Sequence, residues 1–177
     1  AQVPFGMVQL SPDNGLPGWD RISGYFYPDT TIAGFSHTHL SGTGAGDLYD
    51  ISFMPVTRPY KEAPAPLGIY STFSHNDEAA SAGYYRVLLK DYNINVELTA
   101  TERCGIQRYT FPEAEASVFL NLKKAMNWDF TLDSKIEVVD STTIRGYRLS
   151  QGWSPLQHVY FETRFSKPFV ACHMDTT

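Results

Sequence analysis

Residues 34–44, with the sequence GFSHTHLSGTG, bring two histidines, several hydroxyl side chains and glycines into one short segment. If residues 32–37 form a strand and the backbone stays extended beyond it, side chains alternate between the two faces, so His37 and His39 point the same way. The glycines that follow allow a turn and let a ligand approach the backbone closely. The composition indicates a segment that presents polar groups at the edge of a sheet.

The two imidazoles are open to three interpretations. Same-face histidines in a strand recur in zinc sites, but a catalytic zinc needs a third protein ligand, and His75, His158 and His173 lie in unrelated sequence contexts. Plain packing is a second possibility. The interpretation that we favour is hydrogen bonding, either within the loop or to a sugar hydroxyl.

Trp19 and Asp20 form a pair that suits carbohydrate binding. An indole stacks on the apolar face of a pyranose, and a carboxylate accepts hydrogen bonds from neighbouring hydroxyls. The alternative is structural, with Trp19 packed beneath the loop and Asp20 capping a turn.

The glycine-rich residues 42–47 (GTGAGD) do not fit a nucleotide-binding loop, because the required Lys and the following helix are missing. A loop beside a sugar pocket fits better, with Thr43 and Gly44 close to the ligand. A tight turn that needs positive φ is the equally weighted alternative.

Blocks of sequence in the expected order resemble the amino-terminal domain of glycoside hydrolase family 92, the calcium-dependent exo-acting α-mannosidases. The blocks are PFGMVQLSP at 4–12, GWDRISGY at 18–25, the segment 34–44, LTATER at 98–103, RYTFP at 108–112, VYF at 159–161 and FSKPF at 165–169. Arg21 and Ile22 vary the motif that follows the Trp-Asp pair, which leaves the linkage preference open.

The resemblance implies a twisted two-sheet β-sandwich of the supersandwich type over residues 1–177, as part of the N-terminal domain. It also implies that a helical (α/α)6 barrel domain of the same protein, absent from this chain, carries both catalytic carboxylates and most calcium ligands. This chain would then form one wall of the pocket. The implied substrate-binding residues are Trp19, Asp20, His37, His39, Thr43 and Gly44, with no catalytic residue and no metal ligand in this chain.

The implied activity is inverting hydrolysis of terminal α-linked mannose from mannose-rich glycans by a secreted, periplasmic or cell-surface enzyme. Inversion needs a proton donor and a base whose carboxyl groups lie about 6.5 to 9.5 Å apart. No pair of the available acidic residues has a spacing that singles it out; these residues are Asp20, Asp47, Asp50, Glu97 and Glu102. We therefore expect this fragment alone to be inactive.

Composition narrows the class of protein. The chain has 177 residues, a formal net charge of −5 and no clustered Lys or Arg, which argues against a nucleic-acid partner. Apolar runs are shorter than the roughly 20 residues of a membrane helix. Cys104 and Cys172 permit a disulfide without requiring one, and buried free thiols are the simpler expectation.

Period-two alternation predicts an all-β antiparallel sandwich with little helix. Strands are expected at 84–89, 94–100, 106–111, 117–122, 136–139, 143–149, 159–165 and 169–173. Residues 74–80 suggest one short helical turn, with Ser74 or Asn76 as its cap. Residues 13–27 are expected to be a long surface loop, and residues 55–66 a loop or an extended edge.

Two other functions remain open from the sequence. One is a stand-alone carbohydrate-binding β-sandwich module, which the intact mass of the natural protein would distinguish from an enzyme domain. The other is a metal-dependent β-sandwich enzyme that uses His37 and His39, which metal analysis after dialysis would reveal.

Overall fold

The computed structural model describes residues 1–15, 21, 23–40, 47–57, 68–113, 115–123 and 129–175. The predicted all-β antiparallel sandwich is confirmed. The described strands are β1 Ser11–Asp13, β2 Thr31–Ile32, β3 Gly34–Ser36, β4 Ser52–Val56, β5 Ser71–Thr72, β6 Glu78–Ser81, β7 Tyr84–Leu89, β8 Ile94–Ala100, β9 Gly105–Thr110, β10 Ser117–Asn121, β11 Phe130–Val138, β12 Thr143–Gln151 and β13 Gln157–Arg164.

The strands are arranged in layers around a central sheet of order β1-β3-β4-β10. One face of this sheet packs against the sheet β6-β7-β8-β9, and the main core between them includes Phe35, Met54, Val87 and Val96. The other face packs against the sheet β11-β12-β13 through a smaller core that includes Phe53. The sandwich therefore carries a further layer beyond its main pair of sheets.

The β7–β8 hairpin follows directly from its sequence. In β8, Ile94, Val96 and Leu98 are buried and alternate with half-buried or exposed residues, as the alternation predicts. The short helical turn is confirmed as one 3₁₀ turn at His75–Asp77, where the Ser74 hydroxyl accepts a hydrogen bond from the Asn76 amide at 3.3 Å. The predicted end of this turn is instead strand β6, Glu78–Ser81.

Residues 13–27 are not simply a surface loop. Asp13 belongs to β1, and Asn14 is buried at its end. The Asn14 side chain donates to the Thr31 carbonyl at 2.7 Å and accepts from the Phe26 amide at 2.5 Å, so Asn14 and Phe26 are anchored from inside the protein, while residues 16–20 and 22 lie outside the described residues. The turn-like composition of this segment did not reveal the anchoring. An Asn side chain can form hydrogen bonds that backbone groups would otherwise form, in a turn or in the interior.

Three other expectations were wrong. Residues 169–173 are not a strand; the Phe169 amide donates to the Ser141 carbonyl without forming a ladder. Pro55 is a buried residue within β4 and not part of a loop or edge, while residues 58–66 of that predicted range lie outside the described residues. Cys104 and Cys172 are free thiols, but they are exposed and lie outside strands.

Within the described residues, no helix has the length and apolar character needed to cross a membrane.

Candidate functional site

His39 lies in a buried polar cluster at the end of the central sheet. Its Nδ1 donates to the Gln9 carbonyl at 2.7 Å, and its backbone amide donates to the Gln9 side chain at 3.1 Å. Its Nε2 lies 2.8 Å from Oδ1 of Asp13 and 2.9 Å from Oγ of Ser36. The imidazole is 4% exposed, and Asp13 and Ser36 are fully buried. The hydrogen-bonding interpretation of His39 therefore applies within the protein.

The Ser-His-Asp composition of this cluster does not make a nucleophilic triad. In such a triad the Ser and the Asp occupy different ring nitrogens, so that the ring can accept the Ser proton at one nitrogen while the Asp orients it through the other. Here Asp13 and Ser36 share Nε2 of His39, and the Ser36 hydroxyl is inaccessible. The cluster is suited to holding the backbone in place.

His37 occupies a separate, partly buried environment. Its Nδ1 donates to the Ile51 carbonyl at 2.8 Å, and its ring meets the Phe53 ring edge-on at 5.8 Å between centroids. Gly105 makes room for the imidazole, since a Cβ at that position would lie 2.7 Å from a His37 ring carbon. Burial lowers the pKa of His37, which favours the neutral ring.

The metal-site interpretation of the two histidines finds no support in this geometry. Nε2 of His39 lies against Asp13 and Ser36, and the described part of the chain contains no group of three or more His, Cys, Asp or Glu side chains that could hold a metal ion. A calcium site, which needs six to eight oxygen ligands, likewise finds no fit among these residues.

Residues 48–51, hereafter the strained turn, face both histidines. Leu48, Tyr49 and Ile51 have positive φ values of 79°, 54° and 56°. Positive φ is unfavourable for non-glycine residues and most of all for β-branched ones, so this backbone is held by its surroundings. Leu48 pairs with His39 in an isolated β-bridge, which brings together the two ends of the segment 40–47.

Two carboxylates connect this region to the outer sheet β11-β12-β13. Asp47 Oδ2 accepts from the Trp153 amide at 2.7 Å and from the Gln157 side chain at 2.9 Å. Asp50 pairs with Arg148 at 2.5 Å, and both side chains are at most 1% exposed. These ties join residues about 100 positions apart in the chain.

A second polar cluster anchors the loop that follows residue 21. The Glu78 carboxylate accepts hydrogen bonds from the hydroxyls of Tyr25 at 3.0 Å and Tyr85 at 2.5 Å, and it lies 2.6 Å from Nδ1 of His75. The His75 ring stacks on the exposed Tyr27 ring at 4.0 Å. Burial and the Glu78 carboxylate raise the pKa of both Tyr25 and Tyr85.

Of the six predicted site residues, only His37 and His39 lie in the described part of the chain. His37 and His39 lie two positions apart in the chain but have separate sets of partners. Trp19, Asp20, Thr43 and Gly44 lie outside the described residues.

Sequence reasoning missed the buried polar residues around the histidines, namely Asp13, Ser36 and Arg148. Arg148 carried a usable signal, because it is in phase with the buried Ile144 along β12. A charged residue in an inward register requires a buried partner. Asp13 carried none, because its Ser-Pro-Asp-Asn-Gly context is typical of a turn.

Two solved structures that are similar to this chain are α-mannosidases. It superposes with a TM-score of 0.89 and 40% identity on the family GH92 α-mannosidase from Bacteroides thetaiotaomicron, covering 96% of this chain and 24% of that one. The complex of a family GH92 α-mannosidase from the same organism with mannoimidazole matches equally well, with 23% of its chain covered. This chain thus spans about a quarter of these relatives.

A curated relative gives weaker support. An uncharacterized secreted glycosidase of Arthroderma benhamiae is 26% identical over 126 residues, which are 66% of this chain and 15% of that protein.

The model of the glycosyl hydrolase family 92 N-terminal domain matches residues 1–176. Together with the superposition on the α-mannosidases, this match shows that the chain belongs to glycoside hydrolase family 92, as its N-terminal domain.

Proposed function

We propose that the full-length protein is an inverting exo-α-mannosidase that removes terminal α-linked mannose from mannose-rich glycans. The observation that carries the proposal is the 40% identity and TM-score of 0.89 to a family GH92 α-mannosidase. A mannose-containing oligosaccharide is the proposed substrate, and the mannoimidazole complex of a relative supports a mannose-type ligand.

In this proposal the chain forms one wall of the active-site pocket and supplies no catalytic group. Trp19 stacks on the terminal sugar, Asp20 accepts hydrogen bonds from its hydroxyls, and Thr43 and Gly44 line the pocket beside them. His37 and His39 complete the wall. Because both nitrogens of His39 have partners within the chain, its contribution is to hold the neighbouring backbone in place.

The catalytic carboxylates are proposed to come from a helical barrel domain of the same protein, which is this domain's partner. The family resemblance also implies calcium. Because the described residues offer no fitting set of ligands, calcium would be held mainly by that domain. An extracytoplasmic location, by secretion, in the periplasm or at the cell surface, fits the secreted relative.

The proposed role of Trp19 can be tested in the full-length enzyme with an α-linked mannobioside. We expect Trp19→Ala to lower kcat/KM about tenfold or more, because loss of the stacked indole removes contact with the sugar. Tyr160→Ala, which removes an exposed aromatic ring from β13, is the matched control and should leave kcat/KM unchanged.

Circular dichroism should show that both variants keep the fold. If Trp19→Ala hydrolyses the mannobioside as fast as the wild type, Trp19 has no part in substrate binding. If the wild-type enzyme hydrolyses no α-mannoside, the proposed activity itself is wrong.

A further inference from the structure

The strained turn, residues 48–51, is the element to which both histidines attach. The Asp50 carbonyl accepts from the His37 amide at 2.9 Å, and the Ile51 carbonyl accepts from Nδ1 of His37. Leu48 forms the bridge with His39, and the Tyr49 ring meets the His39 ring edge-on at 5.2 Å. A shift of this turn would therefore move His37 and His39 together.

The same turn also reaches the loop that contains the Trp-Asp pair. The buried Tyr49 ring is fully enclosed, and its hydroxyl donates to the Arg21 carbonyl at 2.7 Å. Arg21 directly follows Asp20 in the chain. The turn is thus tied to Arg21, next to Trp19 and Asp20, and it pairs the two ends of the segment 40–47 that contains Thr43 and Gly44.

Positive φ values at non-glycine residues disfavour this backbone, so the turn depends on outside contacts. Arg148 of β12 supplies several of them. Its Nη1 donates to the Leu48 carbonyl at 2.9 Å and to Asp50 Oδ1, while its Nε donates to the Leu122 carbonyl at 2.9 Å and to the Thr131 hydroxyl at 3.0 Å. One buried guanidinium therefore links the strained turn to Thr131 of β11 and to the backbone of Leu122.

Asp50 extends this connection to the segment that carries the histidines, directly after β3. Its Oδ2 accepts from the Thr38 hydroxyl at 2.6 Å, and its backbone amide donates to the same hydroxyl at 3.0 Å. Thr38 lies between His37 and His39. The path from Arg148 through Asp50 to Thr38 is continuous, and the two charged side chains in it are at most 1% exposed.

We propose that Arg148 is a positioning residue for the substrate-binding wall. It fixes the strained turn, and the turn sets the places of His37, His39, the loop at Arg21 and both ends of the segment 40–47. This inference rests on the proposed function of the chain as a wall of the sugar pocket. Arg148 itself does not contact the sugar.

The arrangement requires arginine and not merely a positive charge. The planar guanidinium donates in fixed directions to a carbonyl and a carboxylate on one side and to a carbonyl and a hydroxyl on the other. A lysine ammonium in the same place is a point charge on a flexible stem and cannot reach both sets of acceptors. Arg148→Lys therefore keeps the charge beside Asp50 but loses the fixed geometry.

The test uses the full-length enzyme and an α-linked mannobioside. We expect Arg148→Lys to raise KM about tenfold with kcat changed less than about threefold, because the wall is misplaced while the reacting acids lie elsewhere. Leu98→Ala, a core truncation in β8, is the control for lost stability and should leave both constants unchanged. An unchanged KM in Arg148→Lys, or the same change in Leu98→Ala, would overturn the inference.

Hydrogen–deuterium exchange gives a second readout that does not depend on activity. In Arg148→Lys, exchange should become faster in peptides covering residues 36–40 and 47–51 and stay the same in β7 and β8. Uniformly faster exchange would show that Arg148 only stabilises the fold, and unchanged exchange would show that Arg148 does not hold the strained turn. If the wild type hydrolyses no mannoside, the proposed function fails, and the exchange pattern alone decides the role of Arg148.

Thr38→Val provides an independent variant should Arg148→Lys fold poorly. It removes the hydroxyl that links Asp50 to residues 37–39, and the valine side chain has nearly the same shape as the threonine side chain. We expect the same increase in KM, smaller in size, and faster exchange over residues 36–40. Wild-type values for both measurements would contradict the path through Asp50.

Discussion

His39 and His75 show how the same side chain serves two different ends in this domain. His39 is enclosed and holds the backbone of Gln9 against a buried Asp and Ser. His75 is partly exposed; its Nδ1 faces the Glu78 carboxylate and its Nε2 faces the Tyr27 carbonyl at 2.8 Å. Because both acceptors can only accept, the doubly protonated ring satisfies both contacts of His75.

This geometry predicts a pH-dependent contribution of His75 to stability. The hydrogen bond with the Glu78 carboxylate, followed by that with the Tyr27 carbonyl, raises the pKa of His75 above its ordinary value. A histidine whose pKa is raised by folding stabilises the native state at pH values below its unfolded-state pKa of about 6.5. This contribution to stability is lost as the pH rises through the folded-state pKa. We expect the difference in Tm between wild type and His75→Gln to be larger at about pH 5.5 than at about pH 8.5.

Glu78→Gln is the companion variant, because its single amide oxygen can still accept from one of the two hydroxyls, of Tyr25 or of Tyr85, but the side chain carries no charge for His75. Its Tm difference from the wild type should also be larger at the acidic pH. Equal differences at both pH values for His75→Gln would mean that the folded protein does not stabilise the charged ring.

At the level of elements, β12 is the strand on which the outer layer depends. It pairs with β11 on one side and β13 on the other, and it carries Arg148 inward. Gly146 lies opposite Ile136 of β11 and Phe161 of β13. A Cβ at this position would lie 2.0 Å from the Lys135 carbonyl oxygen and 3.0 Å from the Phe161 ring. Glycine is therefore required here by close packing.

Gly146→Ala is expected to destabilise the protein by about 2 kcal/mol, because the methyl group forces β11 or the Phe161 ring to move. The urea midpoint of unfolding, followed by tryptophan fluorescence, measures the effect. Ser81→Ala, at an exposed position in β6, is the control and should stay within about 0.5 kcal/mol of the wild type. A Gly146→Ala midpoint equal to that of Ser81→Ala would contradict the close approach.

The elements differ in how well their sequences predict them. β7 and β8 were predicted within their observed bounds because one face of each is wet, so the alternation is visible. β4 was missed because all five of its residues are buried between two layers, which removes the alternation. β1, β2 and β3 have only two or three residues each, too few for a period to show.

The histidine segment stood out because unusual residue types lie close together in sequence. The partners that define the geometry of this segment did not stand out in the sequence, because Asp13 is 26 residues from His39 and Arg148 is 98 residues from Asp50. Local patterns carry no information on such distant pairs. Only the folded sheets bring them together.

On the scale of the whole molecule, the carboxylates nearest the histidines are committed to structure. Asp13, Asp47 and Asp50 are at most 2% exposed, and each is held by hydrogen bonds within the chain. Inverting hydrolysis needs an acid and a base on opposite sides of the sugar, with water between the base and the sugar. Buried carboxylates with occupied oxygens cannot fill these roles.

Residues 1–177 purified alone should therefore fold but hydrolyse no α-linked mannobioside, whereas the full-length protein should hydrolyse it. Far-ultraviolet circular dichroism checks the β-fold of the fragment. Released mannose measures turnover, with the fragment and the full-length protein assayed at the same concentrations. The fragment with Asp47→Asn separates true turnover from contamination, because a contaminating activity is unaffected by this change. Mannose release by the fragment that disappears in Asp47→Asn would place a catalytic acid within this chain, contrary to the proposed division of labour between the two domains.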